Sequence, residues 1–124
     1  MAIRVAVAGA AGKMGLATCE AVEGASGLEL VARVDPALGT SLDEVLADVD
    51  VLVDFTRPDV ALDNINAALA AGVHAVVGTS GFDITKVDTG EKGANVLFCP
   101  NFAIGAVLMM KFAAEASKHL PKVE

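Results

Sequence analysis

IRVAVAGAAGKMG, residues 3–15, carries an apolar run from Ile3 to Ala8 straight into three glycines spaced by three, Gly9, Gly12 and Gly15. The run predicts a buried strand. The glycines let the backbone turn tightly and approach a phosphate, and the unpaired N–H groups at the start of the following helix supply a positive pole. The next apolar run ends in Asp35, 20 positions beyond Gly15, where a carboxylate is placed to accept hydrogen bonds from the hydroxyls of a ribose. Strand before, helix after and acid at that distance together point to a dinucleotide, NADH or NADPH. The spacing is Gly-x-x-Gly-x-x-Gly, not the Gly-x-Gly-x-x-Gly of many dehydrogenases. Taken alone, the glycines also fit a sharp turn or a grip for another phosphate, such as that of coenzyme A, but neither reading explains Asp35.

The rest of the chain bounds this reading. Its 124 residues predict one domain, long enough to bury roughly two-thirds of its unfolded surface around a single core. Hydrophobic residues make up 54% of the chain, mostly Ala and Val, with no Trp or Tyr, a composition suited to helices packed closely on a sheet. A net charge of −7 has the wrong sign for attraction to nucleic acid or anionic lipid, which favours small-molecule partners. The apolar stretches, such as 102–110, are far shorter than the roughly 20 residues of a bilayer crossing, and Met1 leads directly into a strand without a secretory leader pattern. A cytoplasmic location is the expectation. Cys19 and Cys99 have neither disulfide-framework density nor ligand spacing, and His74 and His119 stand apart from other ligands, so no metal site is expected.

Strand and helix signals alternate, which predicts a Rossmann-like α/β fold, a doubly wound parallel sheet of about five strands at 3–8, 28–34, 51–55, 74–77 and 96–99. Right-handed crossovers give an expected order of 3-2-1-4-5. The first helix is predicted over 13–23 with Met14, Ala17, Ala21 and Val22 inward, and a short helix capped by Ser41 over 42–47. Thr56 and Asp59 read as a capping pair before a helix whose stripe is Leu62, Ile65 and Leu69, ending at Gly72. Ile104, Leu108 and Phe112 form a further stripe that ends near Pro121, and residues 83–91 predict at most a short exposed helix.

Ligands of such sheets bind beyond the carboxyl ends of the strands. There the sequence places Gly9, Ala10, Ala11, Gly12, Lys13 and Met14 after strand one, Asp35 after strand two, and Phe55, Thr56 and Arg57 after strand three. Gly78, Thr79 and Ser80 follow strand four, and Cys99, Pro100, Asn101 and Phe102 follow strand five. Two hydroxyls between two glycines at 78–81 offer donors beside a flat ring, or simply a turn. Phe102 reads as an apolar wall or as core. Lys13 and Arg57 are the cations nearest the adenosine end, either as partners of a 2′-phosphate or as solvated surface charge, while Asp35 repels such a phosphate.

The blocks Val5 to Gly15, Val53-Asp54-Phe55-Thr56-Arg57-Pro58, Val77-Gly78-Thr79-Ser80-Gly81-Phe82 and Pro100 to Gly105 together resemble, in order, those of the N-terminal cofactor domain of bacterial 4-hydroxy-tetrahydrodipicolinate reductases. The resemblance covers nearly the whole chain. It implies an NAD(P)H-dependent oxidoreductase of lysine and diaminopimelate biosynthesis that passes hydride to an unsaturated cyclic dicarboxylate. It also implies that 9–14 hold the pyrophosphate, Asp35 the adenosine ribose, and 78–80 with 99–102 the nicotinamide half. Ser80 stands where a threonine is common in that family, and Cys99 where a small apolar residue is usual. The family's mixed-sheet substrate domain, with a His-His pair, a lysine and a Pro-Ser-Gly-Thr segment, has no counterpart in these 124 residues. The expectation is therefore a chain without catalytic residues of its own, a truncated form or reduced relative that holds the hydride donor. Substrate is bound only where a substrate domain is supplied. The missing return segment predicts exposed apolar surface along 104–112 and a homo-oligomer or reduced stability.

Overall fold

β1 (Ile3–Ala8) leads through the glycine turn into α1 (Lys13–Gly24) and then β2 (Leu28–Val34). Three short 3-10 turns, at Pro36–Leu38, Leu42–Glu44 and Leu46–Asp48, carry the chain to β3 (Val51–Asp54). α2 (Pro58–Ala70), β4 (His74–Val77), a turn at Ile84–Lys86 and β5 (Val96–Phe98) follow. The computed structural model describes residues 2–99, 111–116 and 118, the last seven of these helical. Ile104, Leu108, His119 and Pro121, named from the sequence, lie outside the described residues, as do Pro100, Asn101 and Phe102.

All strand pairs are parallel, and the order is β2-β1-β3-β4-β5. The expected order 3-2-1-4-5 is thus corrected: β3 lies between β1 and β4, and β2, not β3, is the edge strand. The reason lies in the residues. Val5 to Ala8 are buried on both faces, as an interior strand requires, whereas β2 carries exposed Glu29 and Arg33 and tolerates the edge. Arg4 and Asp50 then clamp β3 beside β1. The Asp50 carboxylate accepts from the Arg4 amide at 2.9 Å and its guanidinium at 3.0 and 3.2 Å, while the Asp50 amide donates to the Arg4 carbonyl at 2.9 Å.

Successive β1 side chains divide the core. Val5 and Val7 pack with Cys19 and Val22 of α1. Ala6 and Ala8 face the other way, onto Leu42, Leu46 and Val49 of the crossover and Ala68 of α2. A bulge at Val31 lets Leu30 face α1 while Ala32 and Val34 face the crossover.

Several local expectations change. α1 turns Gly15, Cys19 and Val22 inward and leaves Met14, Ala17 and Ala21 exposed. A Cβ on Gly15 would stand 1.9 Å from the Gly9 carbonyl oxygen, so this contact, rather than the apolar pattern, sets the rotation of the helix. The 42–47 helix is two 3-10 turns, and Ser41 precedes them without a side-chain cap. α2 has Arg57 as its N-cap and Pro58 in its first turn, so Thr56 stands one residue too early to form a capping pair with Asp59; its hydroxyl donates to Asp54. Its buried stripe is Ala61, Ile65, Ala68 and Leu69, with Leu62 half-buried.

Candidate functional site

The order reversal between β1 and β3 opens a crevice above their carboxyl ends. A cavity of about 670 Å³ fills it, walled by Gly9, Gly12, Asp35, Leu42, Arg57 and Val60 among others. Phe55 and Thr56 also line it; Lys13 and Met14 do not. Of the two cations named from the sequence, Arg57 is therefore the one at the cavity, where it pairs with Asp59 at 3.2 Å on the surface.

The three glycines serve different ends. Gly9 has a left-handed φ of +79°, and a Cβ there would lie 2.3 Å from the Phe55 carbonyl oxygen. Gly15 is pressed against Gly9. Gly12, the N-cap of α1, is exposed, and a Cβ on it would meet only the Gly9 carbonyl oxygen at an ordinary 3.4 Å. The fold needs the first and third glycines bare; the second lines the cavity. Gly12 also supplies no side chain to cap the helix, so the amides of Lys13, Met14 and Gly15 in the first turn stand without an intrahelical partner.

Asp35 is half-buried and closes the opposite side. One carboxylate oxygen accepts from the Ala37 amide at 2.9 Å and the other from the Ala11 amide at 3.1 Å. Each oxygen keeps a further lone pair for a ligand hydroxyl. The Ala11 amide is thereby turned to Asp35, and the Gly12 amide to the Gly9 carbonyl at 3.1 Å. Ala10 is buried beneath the loop.

The β3 and β4 loops interlock beside this crevice. The Phe55 ring rests on Gly78, where a Cβ would stand 2.2 Å from the ring, and Pro58 lies against Gly81. Beneath them is Asp54, fully buried. Its Oδ1 accepts from the Thr56 amide at 3.0 Å, the Thr56 hydroxyl at 2.7 Å and the Thr79 hydroxyl at 2.8 Å, and its Oδ2 from Asn64 at 3.1 Å. Ser80 is exposed at the loop tip, and Cys99 is half-buried past β5, its amide bonded to the Val77 carbonyl at 2.9 Å. Asp54 and Asn64 were missed as site residues. Asp54 closes an apolar strand and is followed two residues on by a threonine, a pattern that signals a buried acid with local donors.

Residues 3–102 match the family model described as dihydrodipicolinate reductase, N-terminus. The chain belongs to the dihydrodipicolinate reductase family. It is 48% identical over 130 residues to the 4-hydroxy-tetrahydrodipicolinate reductase of Beutenbergia cavernae, covering all of this chain and 52% of that protein. It is 47% identical over 131 residues to the enzyme of the same name from Nocardia farcinica, with the same coverage. Among solved structures, the dipicolinate-bound dihydrodipicolinate reductase from Paenisporosarcina sp. TG-14 superposes with a TM-score of 0.74 at 31% identity, over 94% of this chain and 54% of that one. The chain spans about half the length of the curated relatives it matches. The matched half is the reductase family's nicotinamide-cofactor domain, and the Rossmann-like sheet expected for it is present. No helix among the described residues is long and apolar enough to cross a membrane.

Proposed function

We propose that residues 1–124 act as one dinucleotide-binding domain that holds NADH or NADPH for a cytoplasmic 4-hydroxy-tetrahydrodipicolinate reductase. The observation that carries this reading is Gly12. A side chain there would clash with nothing in the protein, yet Gly12 lines the cavity together with Asp35, at the start of a helix whose first amides have no side-chain cap. Such a cradle fits a diphosphate flanked by a sugar. Coenzyme A would share the amides but leave Asp35 unused.

In this reading Lys13, Met14 and Gly15 hold the diphosphate, Asp35 the adenosine ribose, and the cavity beside Arg57 the adenosine. Gly78, Thr79 and Ser80, with Cys99, Pro100, Asn101 and Phe102 assigned by family resemblance, border the nicotinamide half. When bound, the nicotinamide supplies a hydride to a cyclic dicarboxylate held by groups outside these residues. The domain's contribution is to position the donor. Asp35 favours a free ribose over a 2′-phosphate, and Arg57 moderates that preference, so both cofactors are accepted with NADH ahead. Exposed Leu97 and Phe112 make self-association part of the same reading; a monomeric mass at every concentration in sedimentation would contradict that part.

Calorimetry with NADH, NADPH and coenzyme A is the test. NADH should bind near micromolar, roughly −8 kcal/mol, and coenzyme A much more weakly. Gly12→Ala should keep the melting temperature within a few degrees and lose most NADH affinity, and Asp35→Ala should weaken NADH more than NADPH. Full affinity in Gly12→Ala would refute the cradle, and equal losses in Asp35→Ala would remove Asp35 from the ribose.

A further inference from the structure

The chain beyond β2 folds back on the strand it has just left, and the side chain of Thr40 closes the loop. Gly39 takes a left-handed φ of +71° and its amide donates to the Pro36 carbonyl at 3.1 Å, which turns the chain so that Thr40 meets the end of β2. The Val34 carbonyl accepts from the Gly9 and Ala10 amides on the β1 side, so the Arg33 carbonyl and the Asp35 amide point the other way, to the open edge of the sheet. Thr40 takes both. Its hydroxyl donates to the Arg33 carbonyl at 2.7 Å and accepts from the Asp35 amide at 3.0 Å; the Asp35 carbonyl, at 3.4 Å, is the farther acceptor. A hydroxyl has one proton, and the main chain holds this one. Thr40 borders the cavity with that proton turned inward. The Leu38 amide donates to the Asp35 carbonyl at 2.9 Å. With the Ala37 and Ala11 amides on its carboxylate, Asp35 is thus tied at its amide, its carbonyl and its side chain.

We propose that Thr40 is a positioning residue for cofactor selection: standing in for a neighbouring strand at the end of β2, it keeps the Asp35 carboxylate fixed at the cavity, and this fixing sharpens the preference for a free ribose over a 2′-phosphate. The inference rests on the cofactor reading above and deepens it. A fixed carboxylate accepts ribose hydroxyls without being ordered on binding, and it cannot swing away from a phosphate that it repels. Once released, Asp35 would lose the first advantage and the second obstacle would ease, letting a 2′-phosphate settle beside Arg57, which lines the same cavity. Valine at 40 keeps the shape and removes both hydroxyl contacts, whereas serine keeps both.

The test is calorimetry with NADH and NADPH on Thr40→Val, Thr40→Ser, Asp35→Ala and the double variant Asp35→Ala with Thr40→Val. Thr40 is exposed, so its variants should melt within a few degrees of the wild type. Thr40→Val should weaken NADH about fivefold and change NADPH less than twofold, and Thr40→Ser should bind both like the wild type. On top of Asp35→Ala the valine should change NADH less than twofold, because Thr40 acts through Asp35. Equal losses of NADH and NADPH in Thr40→Val would overturn the proposal, as would a fivefold loss that persists without Asp35, since Thr40 would then touch the ligand itself. Amide hydrogen exchange on the ligand-free chain separates the clamp from the cofactor reading. The Asp35 amide should exchange faster in Thr40→Val than in Thr40→Ser or the wild type, and unchanged exchange would refute the clamp even where NADH binds. A wild type that binds neither nucleotide would instead overturn the cofactor reading, and the selection role with it, whatever the exchange of Asp35.

Discussion

Gly15→Ala tests the contact on which the site's shape depends. An added Cβ would stand 1.9 Å from the Gly9 carbonyl oxygen, 2.7 Å from its carbon and 2.8 Å from the Ala10 Cα, all backbone atoms. The helix or the loop must therefore retreat by about 1 Å before the contact becomes tolerable. The loop has nowhere to go: Gly9 donates to the Val34 carbonyl at 2.8 Å, and the Phe55 carbonyl already occupies the space where a Gly9 side chain would be. α1 must move, lifting Cys19 and Val22 from Val5 and Val7. Replacing a helical glycine gains about 1 kcal/mol in propensity, but overpacking against unyielding neighbours costs about 2–3 kcal/mol. The net loss is about 1–2 kcal/mol, or a melting temperature about 5–10 °C lower for a chain of this size. Gly24→Ala, in the same helix, meets nothing within 4 Å and should hold or slightly raise the melting temperature. Thermal denaturation followed by circular dichroism compares the two. A Gly15→Ala protein that melts with or above the wild type would show that α1 does not approach Gly9 this closely in solution.

Gly78→Ala should destabilise the wild-type background, because its Cβ falls 2.2 Å from the Phe55 ring, and should cost almost nothing in a Phe55→Ala background; additive losses in chemical denaturation would sink that explanation. The Arg4 guanidinium, as hydrogen-bond donor, holds the Asp50 carboxyl below its ordinary range, so its stabilisation is present above about pH 4 and fades as pH falls through the lowered value. The melting-temperature gap between wild type and Asp50→Asn should accordingly be open at pH 7 and close on acidification; a constant gap down to pH 2 would contradict the pairing. Burial pushes the Cys19 thiol up despite the nearby Arg33, whereas Cys99 is half-buried. A disulfide reagent at neutral pH should label Cys99 first and reach Cys19 only on unfolding, and simultaneous fast labelling of both would refute the packing of α1.

The glycine turn, the five strands and the gathering of Gly12, Asp35, Phe55, Thr56 and Arg57 at one end of the sheet were legible in the sequence. They depend on local rules: an apolar run makes a buried strand, bare glycines make a turn, and parallel strands put their carboxyl ends on one edge. Strand order was not legible, because short-range pattern does not say which neighbour a strand pairs with. Here Asp50 reaching back 46 positions to Arg4 and the charges of β2 made that choice. The rotation of α1 escaped for a similar reason, since the contact between Gly15 and the Gly9 carbonyl outweighs a modest apolar stripe. Asp54 shows the same division most sharply. Its place after an apolar strand is written in the chain, but its role exists only once Thr79, 25 positions on, folds beside it. Sequence determined the elements and the chemistry available at their ends; tertiary structure decided which of those groups meet, because hydrogen bonds and close contacts depend on distances in space that chain separation does not encode.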